Sequence, residues 1–449
     1  MADSTKTADP ITSLTRRQMV LAAAASIFGW GLDLFDLLIL LYVAPIIGRL
    51  FFPAGNPMLS LAATYASFAV TLLMRPLGSA VFGTYADRRG RRMALMVAVV
   101  GVGVTTAIFG ALPTVRTIGW LAPLLFVFFR LVQGIFVGGV VASSHTIGTE
   151  SVPERWRGLM SGAVGGGGSA LGGLVASLVF FVVTLIAPGP ALAAWGWRLM
   201  FVSGLLTTAI GLVLFRNLEE SPVFAALQAK KAAARQARLP AEPGRSPLAT
   251  LFSRAYRPVF LVNLLLTLGA GAGYYLTSGY LPTFLNLVNK VPGHEASIIL
   301  IGANLTAAIG ALAFGELSQH IGRKGVFLSM GVVRFIAFPL LYLAMSNVAG
   351  LGALAVYALV LSFIANGSYG HLLIFLNERF PTALRATGTG LSWNVGFAIG
   401  GMMPTFVSLA SANSQDLPKT LALFTAAISA IYLIGAFIIP ETKGNLGRT

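Results

Sequence analysis

Cysteine is absent from this chain and charge is scarce. Without a thiol there is no disulfide, no thiolate nucleophile and no cysteine-based metal site. The four histidines (His145, His294, His320 and His371) are scattered and show no metal-ligand spacing. No metal and no cofactor is therefore expected. Only 10% of the residues are charged, against about 25% in a soluble protein whose surface must be wetted. No cleavable leader is expected either. Residues 1–18 are polar, and the apolar run that follows, from about residue 19 to 47, far exceeds the roughly 7–15 residues of a signal core.

What is present instead is apolar. Of 449 residues, 56% are hydrophobic and 51 are glycine, and the mean hydropathy is +0.80. Small residues let membrane helices approach closely where no hydrophobic force drives them together. The net charge of +16 raises nucleic acid as a partner, but no basic stripe with interleaved aromatics occurs. The cations sit in short connections between apolar runs, which is a topology signal.

A bilayer core of roughly 30 Å needs about 20 apolar residues per helix. Such runs fall near 19–47, 60–85, 93–112, 119–143, 157–187 and 196–215, then near 258–285, 295–318, 325–346, 350–376, 385–411 and 418–438. The expected fold is an all-α membrane protein with twelve transmembrane helices in two six-helix halves. Its parts are a tail (1–18), an N-terminal bundle (19–215), a linker (216–257), a C-terminal bundle (258–438) and a second tail (439–449). Connections on the side of the two termini hold 23 Lys and Arg, against five on the other side. That asymmetry predicts cytoplasmic termini in a cell inner membrane. The linker has helix-forming, basic composition suited to an anionic lipid surface.

The halves repeat. Gly83-Thr-Tyr-Ala-Asp87-Arg88-Arg89-Gly90-Arg91-Arg92 follows the second span, and Gly315-Glu-Leu-Ser-Gln319-His-Ile-Gly322-Arg323-Lys324 follows the eighth. Glu150 to Gly158 after span four is echoed by Glu378 to Ala386 after span ten. Two echoes at nearly the same offset indicate a duplicated six-helix unit.

The segment 83–92 resembles the signature loop of the major facilitator superfamily, Gly-x-x-x-Asp-Arg-x-Gly-Arg-Arg. Arg130-Leu-Val-Gln-Gly134-Ile-Phe-Val-Gly138 is similar to that superfamily's helix-four pattern, and Pro440-Glu-Thr-Lys-Gly444 to its tail after the last helix. Gly29 to Asp36, Phe51-Phe52-Pro53 and Arg75-Pro-Leu-Gly78 look like the organic-acid (metabolite or sialate/lactate-type):proton symporter branches. Val140 stands where many such relatives carry a glutamate, so no helix-four carboxylate is carried over. The resemblance implies a monomeric transporter, not an enzyme, working by alternating access with the proton as coupling ion. It also implies that Gly83, Asp87, Arg88, Gly90, Arg91 and Arg92 form a cytoplasmic latch holding the outward-open state.

Ionisable groups at membrane depth cost at least about 2.5–3.5 kcal/mol, so they mark cavities or partners. Asp33 and Asp36 lie three residues apart in mid-span, on one helix face. Two close carboxylates in low dielectric do not both ionise easily, which makes them a candidate proton site. The resemblance favours Asp36 as the carrier, with Arg130 of helix four as its partner. Arg75 and Arg334 are read as structural. The run Gly269-Ala-Gly271-Ala-Gly273 should bend or unwind helix seven, since glycine costs about 1 kcal/mol there. Tyr274 and Tyr275 beside it, Asn304, Tyr369, Trp393 and Asn394 are candidate substrate contacts. The glycines from 162 to 173 lack the Gly-Lys-Ser/Thr ending of a phosphate loop and read as helix packing.

Two functions are weighed. One is proton-coupled uptake of a small organic anion, a carboxylate metabolite. The other is proton-coupled export of lipophilic or toxic compounds. No nucleophile–base pair or nucleotide loop supports an enzyme.

Overall fold

The computed structural model describes residues 16–89, 91–150, 152–216 and 247–447. Those residues form helices and connections with no strand. Helix α1 covers Arg16–Tyr42 and continues as Ala44–Phe51. The chain bends by 64° between them, at a point where Pro45 has no N–H to extend the helical ladder. There follow α2 (Pro57–Arg89), α3 (Arg91–Ala111), α4 (Leu121–Glu150), α5 (Glu154–Ile186) and α6 (Leu192–Val213). The second half holds α7 (Arg257–Leu287), α8 (Gly293–His320), α9 (Arg323–Asn347) and α10 (Leu351–Glu378). It ends with α11 (Thr382–Gly401, continued as Met403–Ala410) and α12 (Leu417–Ile438).

Among the described residues nine helices, ten with the bent α1, are long and apolar enough to cross a bilayer alone. The other two are α3, whose apolar stretch is the short Met96–Ala111, and α11, which carries Thr389, Ser392 and Asn394 among its buried residues. A helix that keeps polar groups against other helices need not be apolar all round.

The duplication is visible in the packing. In the first half α1 packs on α5, α2 on α4, and α3 on α6 and α4. In the second α7 packs on α11, α8 on α10, and α9 on α12 and α10. The halves meet along two seams, α2 against α11 and α5 against α8. Large apolar side chains point outward from the outer helices, among them Leu206, Val213, Leu340, Leu423 and Phe437. A soluble protein avoids such a surface; a lipid-facing one requires it.

The α5–α8 seam explains the glycine-rich run. A Cβ on Gly158 would lie 2.4 Å from the Gly315 carbonyl, and one on Gly162 2.3 Å from the Ala311 carbonyl. The backbones are in contact, as the packing reading expected. Ser161 donates to the Gly370 carbonyl (2.8 Å) and accepts the Ile374 N–H (3.0 Å), tying α5 to α10.

On the face where α12 ends, the tail after it is stapled to the second half. Arg323 at the start of α9 donates from Nε and Nη2 to Glu378 of α10, both at 3.1 Å. Thr442 donates to the same carboxylate at 2.9 Å. Glu441 accepts backbone N–H groups of Arg323 (2.9 Å), Lys324 (3.1 Å), Thr442 (2.9 Å) and Lys443 (2.9 Å). Burial alone would raise the Glu441 carboxyl, but these donors together hold it below the ordinary glutamate range. Gln319, which replaces the repeat of Asp87, donates to the Glu154 carbonyl of the other half (2.5 Å). In the first copy, Gly90 and the side chains at positions 83, 87, 88, 91 and 92 lie outside the described residues, as do residues 217–246 of the linker.

Candidate transport site between the halves

Halfway along α1 the helix presents Trp30, Asp33 and Asp36, all buried. Asp33 Oδ2 accepts a hydrogen bond from Arg75 Nη2 of α2 at 3.1 Å, with side chains only 1% and 5% exposed. Arg75 is thus the direct partner of a site carboxylate. Helix α2 runs on to Arg89, so Arg75 lies well inside it.

Asp36 faces elsewhere. Its Oδ1 lies beside Gly204 of α6, where a Cβ would come within 3.1 Å of it and 2.7 Å of Thr106. Asp36 also acts electrostatically on Arg130. Arg130 is fully buried, donates to Gln133 Oε1 (2.8 Å), and Gln133 in turn donates to Thr106 Oγ1 (2.8 Å). The guanidinium carbon sits 4.3 Å from the centre of the Phe109 ring and 5.2 Å from that of Phe126, a cation–π environment. Asp36, Arg130, Gln133 and Thr106 make a polar cluster inside the first half. The two aspartates therefore do not share one partner or one proton site. Asp33 is paired with Arg75, while Asp36 lies within electrostatic reach of Arg130, and opposite charge nearby is what makes a buried carboxylate tolerable.

Aromatic rings gather beside the Asp33–Arg75 pair. Trp30 meets Trp393 of α11 edge-on with centroids 5.2 Å apart, and Trp393 stacks on Phe397 at 4.2 Å. Tyr369 of α10 lies 6.4 Å from Trp393 and 5.6 Å from Tyr274 of α7. Tyr275 lies 5.2 Å from Tyr274 and 5.3 Å from Phe68 of α2. Arg75 acts electrostatically on both tyrosine hydroxyls, and Asp33 on that of Tyr275. One cluster, contributed by α1, α2, α7, α10 and α11, thus joins a buried ion pair to the faces and edges of seven rings.

Of the six candidate substrate contacts, Tyr274, Tyr275, Tyr369 and Trp393 come together in this cluster. Asn394 follows Trp393, is buried, and its Oδ1 has no protein partner. Asn304 stands apart: it donates to Ser177 Oγ (3.1 Å) and the Tyr42 hydroxyl (3.4 Å), locking α8 to α5 and α1. Trp30, Phe68, Arg75 and Phe397 were missed from the sequence. For Trp30 the signal was available, since it precedes Asp33 by one helical turn.

The glycine run does not interrupt α7. The helix is continuous from Arg257 to Leu276, and each glycine admits a neighbour. A Cβ would fall 2.6 Å from Tyr432 at Gly269, 2.9 Å from Phe397 at Gly271 and 2.0 Å from Arg334 Nη2 at Gly273. Buried Arg334 donates to the Gly269 carbonyl (2.6 Å) and Ser429 Oγ (3.2 Å), so it is structural as expected. The break comes later, and α7 resumes at Leu281.

Past the break, Tyr280 stacks on Tyr65 of α2 with centroids 5.1 Å apart. Tyr65 pairs with Thr283 (2.8 Å) and Tyr280 with Ser408 (3.0 Å). Farther out Asn56 donates to the Ala412 carbonyl at 3.1 Å. The route between the halves is shut on this side, and the cluster is buried beneath it.

The model of the family described as "Sugar (and other) transporter" matches residues 55–446. The glycine betaine/proline/ectoine/pipecolic acid transporter OusA of Dickeya dadantii is 30% identical over 97% of this chain and 86% of its own length. The inner membrane metabolite transport protein YhjE of Escherichia coli is 29% identical over 96% of each chain. The proline/betaine transporter of Escherichia coli is 29% identical over 94% of this chain and 84% of its own. In fold, the chain is similar to the xylose transporter XylE of Escherichia coli in a partially occluded inward-open conformation. The TM-score is 0.73 at 19% identity, over 95% of this chain and 99% of that one.

Proposed function

We propose a substrate class from one premise: this chain belongs to the sugar (and other) transporter family, within the major facilitator superfamily. It is a multi-pass membrane transporter and not an enzyme. Our reading is proton-coupled uptake of a small carboxylate-bearing metabolite, in particular a zwitterionic ammonium carboxylate such as glycine betaine or proline. The observation that carries it is the buried Asp33–Arg75 pair set beside the aromatic cluster.

The chemistry is complementary at both ends. A guanidinium binds a carboxylate through parallel N–H groups, and aromatic faces attract a quaternary or secondary ammonium, which offers few or no donors of its own. Substrate carboxylate would replace Asp33 on Arg75 while the rings take the cationic end. A simple organic anion, the class expected from the sequence, would use Arg75 and leave the rings without a cation. The names of the similar transporters, which include betaine and proline, support the zwitterion.

In this reading Asp36 carries the coupling proton and exchanges Arg130 between bound and free states. The termini face the cytoplasm, and the loop from Gly83 to Arg92 acts as the latch on that side. Coupling has a consequence that separates the substrates. A zwitterion moving with one proton carries net positive charge, so a potential of about 100 mV, negative inside, contributes about 2.3 kcal/mol. That corresponds to roughly fifty-fold accumulation. A monovalent anion moving with one proton is electroneutral and ignores the potential.

The test is uptake into proteoliposomes with pH gradient and potential set independently. Labelled glycine betaine, proline and a monocarboxylate are compared. Betaine or proline uptake driven by potential alone, and lost in Asp36→Asn, is expected. Uptake of the monocarboxylate alone, indifferent to potential, would return the substrate to the anion class.

A further inference from the structure

Helices α7 and α10 are both broken beside the aromatic cluster. The first part of α7 ends at Leu276, and the first part of α10 ends at Gly367 and resumes at Leu372. A break frees carbonyls that a continuous helix would satisfy. Here tyrosine hydroxyls from the outer helices take them: Tyr342 of α9 donates to the Leu276 carbonyl and Tyr432 of α12 to the Ser368 carbonyl. The inner edge of each break is thereby anchored.

One side chain joins the two breaks. Asn366, 1% exposed, donates from Nδ2 to Ser278 Oγ in the α7 break (3.2 Å) and to the Ser362 carbonyl of its own helix (3.1 Å). Its Oδ1 accepts the Tyr369 hydroxyl at 2.8 Å. We propose that Asn366 is a positioning residue that couples occupancy of the aromatic cluster to movement of the outer part of α7. This rests on the reading above in one respect, that Tyr369 meets the substrate.

The physical argument follows the contacts. The carboxamide is planar and rigid, so its oxygen and nitrogen cannot be displaced independently. Tyr369 packs against Tyr274 and Trp393, so a ligand entering between these rings must shift it. Hydrogen bonds weaken steeply with misalignment, and a shift at Oδ1 rotates Nδ2 away from Ser278. Ser278 lies two residues before Tyr280, whose ring and neighbour Thr283 hold Tyr65 across the closed route. Releasing Ser278 therefore frees the part of α7 that bars the way, while Tyr342 keeps the inner part in place.

The absence of native cysteine makes the test clean. Thr277→Cys, a fully buried position in the break, reports opening by its rate of modification with a small maleimide on the purified full chain. Without any ligand, Asn366→Ala and Ser278→Ala should each raise that rate about tenfold, the worth of one buried hydrogen bond. The double variant should be no faster than either, since both remove one link. Glycine betaine should alter the rate in the native background and leave it unchanged in Asn366→Ala.

Native rates in both single variants, or effects that multiply in the double, overturn the coupling. If the ligand-free results hold but glycine betaine is silent in the native background, the link to α7 stands and the substrate reading fails. Ser278→Ala removes only one hydroxyl, so it decides the matter even if Asn366→Ala does not fold.

Discussion

Replacing Asp33 by asparagine removes the counter-charge of Arg75 and leaves the guanidinium where it is. The two side chains are 1% and 5% exposed, their bond through Arg75 Nη2 is 3.1 Å long, and Arg75 Nε has no hydrogen-bond partner among the described residues. Water cannot take over as it would at a surface. Breaking a buried pair from one side costs about 3–5 kcal/mol, because a charge is stranded, whereas removing both charges is close to neutral. Asp33→Asn and Arg75→Gln should each lower the thermal unfolding midpoint of the detergent-purified protein. The double variant should recover most of the loss. The assay is a double-mutant cycle on unfolding, with Asp36→Asn as a second carboxylate whose effect should not depend on Arg75. If the two single losses simply add in the double variant, Asp33 and Arg75 do not stabilise one another. The assignment of the pair would then be wrong.

Four further outcomes are expected. Gly273→Ala places a methyl 2.0 Å from Arg334 Nη2 and should cost about 1–3 kcal/mol by overpacking, read as a lower unfolding midpoint. Gly390→Ala, with nothing within 4 Å of the new carbon, should instead gain up to about 1 kcal/mol of helix propensity, and a loss there would contradict the α11 packing. Glu441 is held below its ordinary range by four backbone donors despite partial burial. Its contribution is then present above the unfolded glutamate pKa and disappears as pH falls through the depressed folded value. Protection of the 440–447 segment from proteolysis should exceed that of Glu441→Gln at neutral pH, and the two should converge only in acid. Gly162→Ala would bring a methyl 2.3 Å from the Ala311 carbonyl, so transport should fall. The thermal unfolding midpoint of the same variant measures how far the seam is weakened.

Hydropathy determined a great deal here. A bilayer demands about 20 apolar residues per span, so helix number, the two halves and the repeated loops are readable as a linear pattern. Ionisable residues in such runs stand out, which is why Asp33, Asp36 and Arg130 were named at once. Four of the six candidate substrate contacts fall in one cluster, having been chosen as aromatic groups conspicuous at membrane depth. What the linear pattern could not decide was direction. Three residues along a helix of 3.6 per turn differ by about 60° in azimuth. That is enough for Asp33 to face Arg75 of α2 and Asp36 to face Gly204 of α6. The glycines of α7 have low helix propensity in any context, yet Tyr432, Phe397 and Arg334 lie against them, and the helix runs through them unbroken. Glu378 and Glu441 are 63 residues apart in sequence and meet Arg323 only because α9, α10 and the tail converge. Composition and period determined which segments enter the membrane and in what order. Only the tertiary structure decided which charge each buried charge meets, since a buried ion's partner is chosen by proximity in space and not along the chain.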